Sequence, residues 1–344
     1  MNDIEQKTNL LEKLGAKTYL GGGTLGLVPY GVFTTSEDTS LGLEIKKAFK
    51  SIENTQSQTY FSINQEKFKN SSSEKILFIL KGSTNQPNIE IISKDIFLIH
   101  RQLKTDTFIK SLPYVFYNLS EKLRQEKYGL VTIHGAAASR NENGVLILGD
   151  KGAGKTSLLL ALCLSHGYEI IGNDSLLIGG NENTSLVTGN KQISVRLPVG
   201  KKFGIPMGNA INSKSGIDYE TKISFLPLDL GIKETQKPAP LKLTVRVNIH
   251  SENKNFVVSN IPSLELEVLR LNENFGRYIR GITTPLELSG PKIFGYFPSL
   301  DNKELTEFRN DLINRLLTKI PFLYVAGNNP LVIAEKLDKF LNHL

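Results

Sequence analysis

The sequence predicts an α/β fold. A P-loop nucleotide-binding core sheet with flanking helices occupies residues 129–344, and a smaller α+β region occupies residues 1–128. Three observations predict it. From Leu130 onward, short apolar strand-like runs alternate with helix-like runs, a pattern that implies a largely parallel sheet. The glycine-rich segment Gly149 to Thr156 lies between the apolar run Val145–Leu148 and the leucine-rich run Thr156–Ser165. Before residue 129 the helical and strand signals are mixed rather than alternating.

In the N-terminal region, Leu43 to Ile52 carries apolar residues at 43, 45, 48, 49 and 52, close to helical spacing. Ile76 to Leu80 is a compact strand candidate. Ile89–Ile92 and Ile96–Ile99, joined by Ser93-Lys94-Asp95, predict a hairpin. Pro113 to Lys127 reads as a helix opened by Ser111 and closed by Gly129. The run Gly21-Gly22-Gly23-Thr24-Leu25-Gly26 satisfies G-x-G-x-x-G, yet Pro29 and Gly31 leave no helix behind it. It reads as a flexible or tight loop near a hairpin.

In the second half, Leu130–His134 is a strand, Ser139–Gly144 a turn and Val145–Leu148 a second strand leading into the glycine loop. Thr156–Ser165 is a helix apolar on nearly every face, expected to be covered on both sides; His166-Gly167 ends it. Tyr168–Ile171 is the next strand, with Gly172-Asn173-Asp174 at its end. Thr221–Leu226 and Leu241–Asn248 read as strands. Asn302–Lys319 is an amphipathic helix with Leu305, Phe308, Leu312, Leu316 and Leu317 inward. Phe322–Val325 is a strand, and Asn329-Pro330 caps and opens a last helix, Leu331–Leu344.

Bulk properties narrow the function. The 344 residues, 40% hydrophobic and 22% charged, are those of a globular protein able to bury a substantial core. The formal charge of +7 comes from scattered lysines and arginines, with no block of like charge. Phosphate-bearing ligands explain it more simply than nucleic acid, for which no reader motif is present. Cys163, the single cysteine, excludes an intramolecular disulfide and reads as a small core residue. The five histidines and that cysteine offer no zinc-ligand spacing. Met1–Leu14 is polar, and no apolar run approaches the ~20 residues that span a bilayer. A cytoplasmic protein without membrane contact is expected.

Gly149-Asp150-Lys151-Gly152-Ala153-Gly154-Lys155-Thr156 matches G-x-x-x-x-G-K-[ST] in full. Such a loop binds phosphate when it follows a buried strand and opens a helix, so that successive backbone N–H groups face the anion. Gly152 and Gly154 allow the backbone to curl closely around it. Lys155 is placed for the β- and γ-phosphates, Thr156 for Mg²⁺, and Ser157 continues the binding segment into the helix. A purely structural glycine turn is the alternative, and the flanking strand and helix argue against it.

His134 and Asp174 are the next candidates. His134 ends a strand expected to pair with or neighbour the strand entering the loop. Asp174 ends the strand after the loop's helix. In an open parallel sheet such strand ends share one rim with the phosphate site. A carboxylate there can hold Mg²⁺ or accept the proton of an attacking hydroxyl. A histidine there can tune that carboxylate or touch the γ-phosphate. Each also has a plain structural use, His134 in a core hydrogen bond and Asp174 in a turn.

His134-Gly135, a hairpin turn, the run Val145 to Thr156, a leucine-rich helix and Gly172-Asn173-Asp174-Ser175-Leu176-Leu177-Ile178 together resemble the catalytic core of HPr serine kinase/phosphorylase. That family belongs to the phosphoenolpyruvate-carboxykinase-like branch of P-loop folds. The ending, Phe322–Leu344, is similar to that of shorter HPr-kinase-like proteins of bacterial gene clusters, some of which phosphorylate precursor peptides. The resemblance implies that Lys155 and Thr156 serve phosphate and metal, that Asp174 activates the acceptor hydroxyl and that His134 assists it. Two departures stand out. The family usually has two adjacent aspartates where this chain has Asn173-Asp174. The stretch Val195-Arg196-Leu197-Pro198 lacks the family's downstream glutamate. The resemblance is therefore not extended to the phosphorylase activity or to HPr as the acceptor. Arg196 is either a charge-neutralising group at the transferred phosphoryl or an exposed strand arginine.

The leading expectation is a kinase that uses ATP or GTP with Mg²⁺ to phosphorylate a Ser/Thr hydroxyl of a peptide or protein. A kinase of a small hydroxylated metabolite and a nucleotide-dependent switch that transfers nothing are the alternatives. The N-terminal region is read as a substrate-docking module, a dimerisation element or part of one continuous sheet, which leaves a homo-oligomer open.

Overall fold

The computed structural model describes residues 3–25, 27–35, 41, 43–45, 48, 59–60, 76–82, 88–101, 106–180, 183–207, 222–250, 252–253, 255–281, 288–289, 292–293 and 297–343. The chain is a mixed α/β protein of two compact units. One comprises Met1–Gly129 with Gly276–Thr306, the other Leu130–Phe275 with Glu307–Leu344. The second is thus not the continuous 129–344 segment expected from sequence. Ile279, Phe297, Leu300 and Leu305 are buried in the core of the first unit, so that stretch packs with the N-terminal residues.

The first unit opens with α1 (Asp3–Lys13), followed by β1 (Thr18–Leu25), β2 (Val28–Thr34), β3 (Thr59–Tyr60), β4 (Ile76–Gly82), β5 (Asn88–Ser93) and β6 (Ile96–Arg101). These strands form one sheet in the order β3-β1-β2-β4-β6-β5, with β2–β4 and β4–β6 parallel. The predicted hairpin is β5–β6. Gly21–Gly23 lie within β1 rather than in a loop. A Cβ on Gly22 would sit 2.3 Å from the carbonyl oxygen of Tyr30 on β2, so close strand approach explains that glycine. Leu41, Leu43–Ile45 and Ala48 are helical; the rest of the helix read to Ile52 lies outside the described residues.

The helix expected from Pro113 to Lys127 is two: α2 (Asp106–Leu119), which carries Pro113 in its interior, and α3 (Glu121–Tyr128). The chain stays helical through Ser120, and Gly129 ends α3 at φ 60° with its N–H on Arg124 O and Gln125 O, as a left-handed C-cap requires.

The second unit contains β7 (Leu130–Ile133), β8 (Ala136–Arg140), β9 (Asn143–Leu148), α4 (Lys155–His166), β10 (Glu169–Asn173), β11 (Leu176–Gly179), β12 (Ser185–Gly189), β13 (Ile193–Arg196), α5 (Leu197–Phe203), β14 (Lys222–Phe225), β15 (Ala239–Ile249) and β16 (Val257–Asn260). The chain continues with α6 (Leu264–Arg280), the two-residue strands β17 (Leu288–Ser289) and β18 (Lys292–Ile293), α7 (Lys303–Thr318), β19 (Phe322–Gly327) and α8 (Pro330–Leu341). Asn329 caps α8 by accepting from Leu331 N at 3.2 Å.

The main sheet runs β10-β8-β9-β15-β12-β11-β7, with β19 on β15 and β16 on β19. The largely parallel sheet expected from sequence is not found: among the described strands of this unit, β9–β15 and β15–β19 are the pairs that run parallel. Short connections explain this for β8–β9 and β11–β12, since antiparallel neighbours need only a tight turn whereas parallel ones need a long crossover. β7–β11, β8–β10 and β12–β15 are antiparallel pairs of strands distant in sequence. Ser139–Gly144, read as one turn, is mostly strand. Only Asn141 (φ 51°) and Glu142 (φ 65°) turn, both in the left-handed region that a two-residue hairpin demands.

Alternation along the central strands fills two cores. Val145 and Ile147 of β9 join Val245 and Val247 of β15 beneath α4 and α8. Leu146 and Leu148 join Leu271 and Phe275 of α6 and Leu312 and Leu316 of α7 on the opposite face. Helix α4 is covered on both sides, by β8, β9 and β10 on one and α8 on the other. Its Cys163 is buried, and desolvation pushes the thiol up to about 12. Among the described residues, no helix is long and apolar enough to cross a membrane.

Candidate functional site

The turn from β9 into α4 is built from the glycine-rich segment. Gly149 leaves the strand, Asp150, Lys151 and Gly152 are exposed at the tip, and Ala153 is buried. Gly152 (φ 89°) and Gly154 (φ 92°) both occupy the left-handed region. A Cβ on Gly154 would lie 2.6 Å from Ile249 Cβ, so this position needs glycine for both conformation and space. Ile249 N donates to Ala153 O at 2.8 Å and ties the loop to the end of β15. Gly154→Ala should therefore cost about 2 kcal/mol or more, through left-handed strain and overpacking together. Denaturant unfolding of that variant reads this directly, and stability unchanged to within about 0.5 kcal/mol would contradict the loop geometry.

Gly154 is also the N-cap of α4 and supplies no side chain to its first-turn N–H groups, the arrangement from which helices bind anions. Lys155 is buried, and its Nζ donates to Gly149 O (2.8 Å) and Asp150 O (3.1 Å), so the ammonium lies across the loop's own carbonyls. Thr156 and Ser157 are half-buried in the first turn.

Strand β10 brings the next groups to the same rim. It is antiparallel to β8, which is antiparallel to β9, so β9 and β10 end on one side. Thr156 Oγ1 donates to Asn173 Oδ1 at 3.3 Å, and Asn173 Nδ2 donates to Gln192 O at 3.4 Å. The Asn190–Gln192 segment braces this strand end: Asn173 N donates to Asn190 O (2.7 Å) and Asn190 N to Ser175 O (2.8 Å). The backbones can meet there because Gly172 and Gly189 face each other; a Cβ on Gly172 would lie 2.4 Å from Gly189 Cα.

Between Asn190 and Gln192, the buried Lys191 donates from Nζ to Ile170 O at 2.9 Å. Its desolvation lowers the ammonium to about 8 despite nearby Glu234.

Asp174 is half-buried and takes φ 65°, a conformation aspartate tolerates better than most residues. His134 Nδ1 lies 2.8 Å from Asp174 O. A carbonyl oxygen only accepts, so Nδ1 carries the proton and donates in this contact. The two residues are thus joined through the Asp174 main chain. The strand bearing His134 reaches the rim by a different route from the one expected. β7 pairs with β11 (Ile133 opposite Leu176), not with β9, and it is Gly135 that approaches Ile147 O and Leu148.

Arg196 closes β13 opposite Lys222 and is half-buried, so it is not the exposed strand arginine that sequence left open.

Two features near the rim were not read from sequence. The main chain of His134 is gripped by Asn274 of α6: His134 N donates to Asn274 Oδ1 (2.7 Å), and Asn274 Nδ2 donates to His134 O (2.9 Å). On β15, Arg246, in register with Leu148, forms a buried bidentate pair with Glu267 of α6. Leu271, Phe275 and Ile279, four residues apart, were the periodic signal for that helix. Among the described residues, no three His, Cys, Asp or Glu side chains form a metal-binding group.

No protein-family model matches the chain, and no curated protein does. Among solved structures, the HPr(Ser) kinase/phosphatase from Coxiella burnetii is similar over 40% of this chain and 85% of its own. The identity is 16% and the TM-score 0.24, a likeness too slight to bear on fold or activity.

Proposed function

We propose that this protein is a nucleoside-triphosphate-dependent kinase that transfers the γ-phosphoryl group of ATP or GTP to a Ser/Thr hydroxyl of a peptide or protein. The observation that carries this reading is the convergence on one rim of the glycine loop, Thr156 with Asn173, and His134 with Asp174. In this reading Gly149 to Ser157 form the P-loop, and Lys155 exchanges its loop carbonyls for the β- and γ-phosphates. Mg²⁺ fits the oxygens available. It needs only one or two protein ligands when phosphates supply others, and Thr156 Oγ1, with Asn173 Oδ1 or the Asp174 carboxylate, would hold it. Bound there, the ion would neutralise charge on the phosphates.

Asp174 accepts the proton of the acceptor hydroxyl as the hydroxyl oxygen bonds to the γ-phosphorus, and the β–γ bridging oxygen leaves with the nucleoside diphosphate. Asn173 cannot take up a proton, so base chemistry at this strand end falls to Asp174. His134 fixes the turn that presents it.

The test is mass spectrometry of a peptide encoded beside this protein and co-expressed with it. Phosphate on serine or threonine, dependent on this chain, is the expected result. Release of inorganic phosphate alone with every acceptor tried would replace the kinase reading with that of a nucleotide-dependent switch.

A further inference from the structure

We infer that Asn274 is the positioning residue for His134, and through it for the Asp174 turn. His134 is the first residue beyond the last paired position of β7, Ile133 opposite Leu176, and there β11 gives way to the turn at Asp174–Ser175. Beyond that last rung, the Asn274 amide acts as a peptide group would, accepting from His134 N at 2.7 Å and donating to His134 O at 2.9 Å. Asparagine suits this task because one side chain offers an acceptor and a donor at peptide-like spacing. Aspartate has no donor for the carbonyl, and serine is too short to reach both atoms.

The helix that carries Asn274 is itself fixed. Leu271 and Phe275 on either side are fully buried, and Glu267, two turns earlier, is paired with Arg246. A fixed main chain at His134 sets where its ring stands, and the ring donates from Nδ1 to Asp174 O at 2.8 Å. The chain of contacts Asn274–His134–Asp174 therefore joins helix α6 to the left-handed turn at the rim, across 140 and then 40 residues of sequence.

The inference rests on the kinase reading for its kinetic consequence only, and the test separates the two. The full chain, ¹⁵N-labelled at histidine, is examined by NMR above the titration of the rings, with His134→Gln to assign the signal. The parent should show His134 protonated at Nδ1. Asn274→Leu, close in size but without the amide, should shift that ring toward a mixture of tautomers. In the kinetic arm, Asn274→Leu should lower turnover by about 10²-fold with the nucleotide KM changed by no more than about twofold, the signature of a misplaced group rather than lost binding. If Asn274→Leu does not fold, Asn274→Ser carries the same expectations. An unchanged Nδ1 signal in the folded variant overturns the inference. A parent that transfers no phosphate removes the kinase reading, while the tautomer result still decides the role of Asn274.

Discussion

Lys155→Ala should abolish phosphoryl transfer while the protein remains folded. The side chain is buried, but its ammonium spends its hydrogen bonds on Gly149 O and Asp150 O, carbonyls of an otherwise well-supported turn. The fold depends more on the neighbours of that turn: Gly154 against Ile249, Ala153 O holding Ile249 N, and α4 enclosed between the sheet and α8. Losing the lysine therefore removes positive charge where a γ-phosphoryl group would carry developing negative charge. Electrostatic groups of this kind are each worth about 10²–10³ in rate, and in the proposed role the lysine would serve binding as well. Circular dichroism and a denaturant midpoint establish that the variant is folded, and a radiolabelled transfer assay reads the rate. Normal turnover in folded Lys155→Ala would remove this residue from the mechanism.

The second large effect separates Asp174 from Asn173. Removing a general base usually costs about 10²–10⁴-fold in rate, so Asp174→Asn should lose about that much in single-turnover transfer at saturating nucleotide. Nucleotide affinity should change far less, because in the proposed reading the loop amides and Lys155 would make most of the phosphate contacts. The main-chain carbonyl that receives His134 is kept in this variant, and asparagine tolerates φ 65° as aspartate does. A rate loss would therefore report the carboxylate and not the turn. Asn173→Asp keeps the Thr156 hydroxyl as a donor but loses the donation from Nδ2 to Gln192 O, so it should retain transfer at some cost in stability. Asp174→Asn transferring at the parental rate would place the base elsewhere.

Much of the local structure was legible in the sequence because it rests on short-range chemistry. The loop between an apolar strand and a leucine-rich helix, the β5–β6 hairpin, the Gly129 cap and the Asn329-Pro330 start of α8 each follow from residues within one turn of each other. What was not legible depends on distant pairing. β8 is a strand although Ala136-Ala137-Ala138 has little β-propensity, because it lies between β9 and β10 and is buried on both faces. The alternation of elements suggested a parallel sheet, yet nothing local reveals that β7 pairs with β11 rather than beside β9.

The site shows the same division. The loop residues and the candidates His134 and Asp174 were singled out in the sequence by type and position, and the fold sets them near one rim. The contact of Thr156 with Asn173 and the grip of Asn274 on His134 join residues 17 and 140 positions apart, and only the folded chain brings them together. Helix α6, which supplies Asn274, carried its signal in Leu271, Phe275 and Ile279. That signal divides between two cores, since Ile279 is buried in the first unit and the other two in the second.

Whether the loop from Gly149 to Thr156 binds a nucleoside triphosphate is read by isothermal titration calorimetry of the purified full chain with ATP and with GTP, each with Mg²⁺. Saturable one-site binding of at least one of the two is expected. A matching rise in thermal stability is expected, equivalent to about 2.7 kcal/mol at a nucleotide concentration one hundred times Kd. The heat should be strongly reduced in Lys155→Ala. Absence of binding heat and of any stabilisation with both nucleotides in the presence of Mg²⁺ would show that the loop is not a nucleotide site.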